Sequence, residues 1–91
     1  MRKGVQVTCS YAPPSATDLS SLKDELGLTG NAMTELAGVA SNSQWRKYTG
    51  GESPRAMSQH ILFYMAAQLA LSPDQLDLVL KKMVEIGAQI K

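Results

Sequence analysis

Apolar residues recur at helical spacing through most of this chain. Leu19, Leu22 and Leu26 mark one face of a first helix, because positions three and four apart lie one above the other on an α-helix. That helix is expected to begin near Thr17, with Thr17 as N-cap and Asp18 at the positive end of the dipole, and to stop at Gly27. Leu28 then packs inward. A second helix is expected from about Asn31 to Ala37, with Met33, Leu36 and Ala37 inside, and Gly38-Val39 breaks it. A third spans roughly Ser41 to Thr49 and ends at Gly50-Gly51.

Glu52-Ser53-Pro54 reads as a turn. A fourth helix over about Ala56 to Leu71 carries Met57, Ile61, Tyr64, Met65 and Leu69. Ser72-Pro73-Asp74 is a strong start signal: a capping serine, a proline at the first helical position and an acid in the first turn. The fifth helix bears Leu76, Leu80, Met83, Ile86 and Ile90 in a stripe close to a heptad. Only the leader differs. Val5, Val7, Cys9 and Tyr11 alternate with polar residues, a strand period, before Ala12-Pro13-Pro14-Ser15 stops any regular element. A lone strand has nothing to pair with in a helical domain, so a flexible arm or pairing with a second copy is expected. The expected fold is all-α: a five-helix bundle with a flexible or partly extended N-terminal arm over 1–16, a domain over 17–91 and a C-terminal helix over 73–90.

Composition narrows the function. Ninety-one residues, 44% of them hydrophobic, make one domain near the lower limit for a core without a metal or disulfides. The single cysteine fits a reducing compartment. The run from Ile61 to Leu71 is too short to span a bilayer and contains Gln68; Arg2 and Lys3 are followed by no apolar run, so no signal peptide is read. The expectation is a cytoplasmic protein without membrane partners. A lone His60 makes no metal site, and Cys9 has no evident general base. No phosphate loop, dinucleotide fingerprint or carboxylate pair is present, so no catalytic residue, metal, cofactor or small-molecule ligand is expected and an enzyme is disfavoured.

The informative stretch is Leu28 to Gly51, a short helix, a glycine-containing turn and a second short helix. That is the helix-turn-helix layout. On the third helix Trp45 and Tyr48 share a face. At roughly 100° per residue, Ser43, Arg46 and Lys47 fall opposite them, with Asn42 flanking and Gln44 near the edge. Arginine can read guanine and asparagine or glutamine can read adenine, while a helix N-terminus favours phosphate. The net charge of only +1 is permissive; residues 31–60 set Arg46, Lys47 and Arg55 against Glu35 and Glu52.

With Leu36-Ala37-Gly38-Val39 as the turn and Trp45-Arg46-Lys47-Tyr48 before Gly50-Gly51-Glu52 as the end of the recognition helix, residues 19–71 resemble the lambda-repressor-like (Xre-type) helix-turn-helix family. The resemblance implies a small phage or plasmid repressor. Asn42, Ser43, Gln44 and Arg46 would approach bases, and Thr29, Asn31, Lys47 and Arg55 would hold phosphates. Its partner would be double-stranded DNA carrying an inverted repeat. The expected oligomer is a homodimer formed through Leu76, Leu80, Met83, Ile86 and Ile90, although that stripe has a second reading as a lid on the chain's own core. A small helical interaction module without DNA affinity is the competing functional reading.

Overall fold

A computed structural model describes residues 10–90, and the chain there is all-α, with five helices and no strand among the described residues. They are α1 (Ala16–Leu26), α2 (Gly30–Ala37), α3 (Asn42–Thr49), α4 (Gln59–Ala70) and α5 (Pro73–Ile86). Val5, Val7 and Cys9 of the expected arm lie outside the described residues. Tyr11 lies inside them without strand structure.

Every helix starts on a hydroxyl. Ser15, Thr29, Ser41, Ser58 and Ser72 each accept a hydrogen bond from a backbone N–H in the first turn, satisfying a donor that has no partner within the helix. This corrects four expected starts. Helix α1 is capped by Ser15 rather than Thr17, since Asp18 returns a bond to the Ser15 N–H at 2.9 Å and closes a capping box. The backbone and hydroxyl of Ser15 hold the Asp18 carboxyl below its ordinary range. Helices α2 and α3 begin at Gly30 and Asn42, each one residue from expectation. Helix α4 begins at Gln59 rather than Ala56, because Ser58, with extended backbone angles, is its cap and residues 54–57 before it are not helical.

The core gathers Leu19, Met33, Ala37, Trp45, Tyr48, Met57 and Met65, with Leu22, Leu26, Leu28, Leu36, Val39, Ile61 and Leu62 packed against it. It therefore draws on α1 to α4 and on Met57 from the connection before α4. Three methionines suit this site, since unbranched thioethers fill the irregular space around a large indole. The polar Gln68, set within the apolar run of α4, has a structural task. Its amide donates to the Leu36 carbonyl at 2.8 Å and satisfies an acceptor in the last turn of α2. Tyr11 tethers the leader to the body through its hydroxyl, which donates to the Met57 carbonyl at 2.7 Å.

Two apolar expectations fail on α4. Tyr64 and Leu69 are exposed, whereas Ile61 and Met65 face inward. Helix α5 departs further. None of its residues is buried, and it lacks the side-by-side packing that joins α2 to α3, α2 to α4 and α1 to α3. The stripe therefore does not close this chain's own core. Among the described residues, no helix is long and apolar enough to cross a membrane.

Candidate nucleic-acid interface

Helices α2 and α3 are joined by four residues, Gly38 to Ser41. Gly38 makes so short a turn possible. Its φ of +71° is left-handed, and its N–H and that of Val39 donate to the Glu35 and Thr34 carbonyls, closing the end of α2. A Cβ there would also lie 2.9 Å from the ring edge of Tyr64. Gly38→Ala thus meets an unfavourable backbone conformation and an aromatic ring together. The expected loss is about 1–3 kcal/mol in urea unfolding, because the exposed Tyr64 can yield part of the space. A loss of only a few tenths would mean the turn relaxes freely.

Helix α3 divides as its periodicity demands. Trp45, 1% exposed, and Tyr48 point into the core. Ser43, Arg46 and Lys47 point to solvent. Gln44 is half-buried at the edge, as expected.

Asn42 behaves differently. It is half-buried, and its side chain lies against Gly30, where an added Cβ would meet Oδ1 at 2.6 Å. That oxygen is shielded from solvent and has no hydrogen-bond partner. Asn42 is thus a spacer between the starts of α2 and α3, and reaching a base would require it to leave this niche. The sequence carried one signal for it: a glycine at the first position of α2, where a side chain would collide.

The four expected phosphate-contacting residues are all exposed. Thr29 already spends its hydroxyl on the Ala32 N–H at 3.1 Å, so its value to an anion lies in the helix start it defines. Arg55 belongs to the irregular segment before α4. Its N–H donates to the Lys47 carbonyl at 2.7 Å, pinning the segment to the last turn of α3. This tie brings the Arg55 and Lys47 backbones together. Periodicity could not reveal it, because the intervening loop has none. Arg46, Lys47 and Arg55 have no carboxylate partner among the described residues, the ion pairs there being Lys81–Asp77 and Lys82–Glu85 on α5.

The outer face of α3 thus carries two cations without a carboxylate partner among the described residues and a serine hydroxyl, with the start of α2 close by at Gly30. Among the described residues, no three of His, Cys, Asp and Glu gather as a metal would require. Compared with known proteins, the chain matches no family model, no curated protein and no solved structure.

Proposed function

We propose that this protein binds double-stranded DNA in the cytoplasm as a transcriptional regulator, a repressor of the small phage or plasmid type, with α3 in the major groove. The observation that carries the reading is the outward face of α3. Ser43, Arg46 and Lys47 stand exposed on a helix whose other face is locked by Trp45 and Tyr48 and which follows α2 after four residues. Arg46 and Ser43 take the base edges, with Gln44 at the margin. Lys47, Arg55 and the α2 start around Thr29 and Asn31 hold phosphate oxygens and set the register. Two copies on an inverted repeat would place two such helices about one DNA turn apart. Occupancy of its own promoter would then exclude RNA polymerase.

The near-neutral charge of +1 favours a second reading, a helical interaction module without DNA affinity. A gel shift with DNA from upstream of the protein's own gene, against random competitor, tests the first. The expected result is a discrete, competitor-resistant complex that weakens steeply with added salt. A shift abolished equally by random DNA, or none at all, would support the interaction module.

A further inference from the structure

Residues 50–58 join α3 to α4 without helical structure, and residues 50–56 are all exposed. Core packing therefore does not place them. A Cβ added at Gly51 would meet nothing within 4 Å among the described residues, so the start of the segment is unsupported. Its far end is held at three points. The Met57 side chain is 1% exposed in the core. The Arg55 N–H donates to the Lys47 carbonyl at 2.7 Å. The Met57 carbonyl accepts from the Tyr11 hydroxyl, also at 2.7 Å, a contact that crosses 46 positions of the chain. Tyr11 is itself braced from the other side. Pro13 and Pro14 lie between it and Ser15, the cap of α1. Proline fixes its own φ near −65° and confines the residue before it to extended backbone, so Ala12 to Pro14 form a stiff spacer. The half-buried Tyr11 ring is carried in this way from the capped start of α1 to the carbonyl of Met57.

We infer that Tyr11 is a positioning residue for DNA binding: its strap fixes the segment that carries Arg55, so that Arg55 and Lys47 meet the phosphate backbone as a preset pair. The inference rests on the DNA reading above and deepens it. Both cations are exposed, and neither has a carboxylate partner among the described residues. A cation on a wandering loop must be ordered when it binds, whereas one whose backbone is already held loses less on binding. Tyr11 acts through Arg55 and not by touching a phosphate.

Tyr11→Phe in the full chain keeps the ring and removes the hydroxyl. Amide hydrogen exchange tests the strap without DNA. The Arg55 N–H is expected to exchange several-fold faster in the variant, while the Trp45 N–H, which reports the helical core, keeps its rate. Binding to a short duplex of random sequence, which reports phosphate contacts, is expected to weaken roughly 2- to 12-fold. That loss should appear in full in an Arg46→Ala background and vanish in an Arg55→Ala background, since only the latter removes what the strap positions. A merely stabilising hydrogen bond would weaken both backgrounds alike. An Arg55 amide unchanged by Tyr11→Phe would overturn the inference and leave the DNA reading standing. So would equal acceleration at Arg55 and Trp45, or a loss of binding that persists without the Arg55 side chain. A parent that binds no duplex would overturn the DNA reading, and the inference with it.

Discussion

Trp45→Ala is expected to remove about 3–5 kcal/mol of folding stability, the usual cost of emptying a large aromatic site in a core. Native domains hold only about 5–15 kcal/mol in total, so one substitution would take a large share of it. The indole is 1% exposed, in a cluster drawn from α1 to α4, and it is among the largest fully buried side chains. Urea unfolding followed by circular dichroism measures the loss. In the parent, the fluorescence of this single tryptophan reports the same transition. Trp45→Phe keeps an aromatic ring and should lose less. A change below about 1 kcal/mol for the alanine variant would contradict the placement of Trp45 as the centre of the core, because surface positions behave that way.

The second large effect lies on the opposite face of the same helix and is one of binding alone. Arg46→Ala should leave unfolding unchanged, since the side chain is exposed and has no ion-pair partner among the described residues. It should weaken binding to the operator by roughly 5- to 150-fold, the range of a lost base contact of about 1–3 kcal/mol. Lys47→Ala should weaken binding to all sequences alike and lower the salt dependence by about one counterion. The two variants are thus separable by competitor and salt. If both bind the operator as the parent does, helix α3 is not the reading element.

Helix number and the inward faces of α1 to α3 were legible because a 3.6-residue period states which side chains share a face. The period is silent on whether anything covers that face. Tyr64 and Leu69 continue the apolar pattern of α4 and yet lie exposed, and the α5 stripe is as regular as any in the chain without a residue buried. Starts were harder. Ser15, Ser58 and Thr17 are all plausible caps in sequence; the choice fell to Ser15 and Ser58 through backbone geometry, φ near −70° to −80° with extended ψ. On the candidate surface, periodicity gave Ser43, Arg46 and Lys47 correctly as outward. It could not give the inward turn of Asn42, which depends on the absence of a side chain at Gly30 on a different helix.

The brevity of α2 and α3, eight residues each, has a consequence for how function is lost. Isolated helices shorter than about 12–15 residues are marginal in water, so the outer face of α3 exists only while the shared core holds it. Damage to that core should not blunt recognition by degrees. It should divide the molecules into competent and incompetent populations. Each folded molecule keeps the parent's affinity, but because folding is reversible the apparent Kd of a weakened variant rises by the inverse of its folded fraction. In a cell it would behave as a temperature-sensitive allele, intact when cool and null when warm.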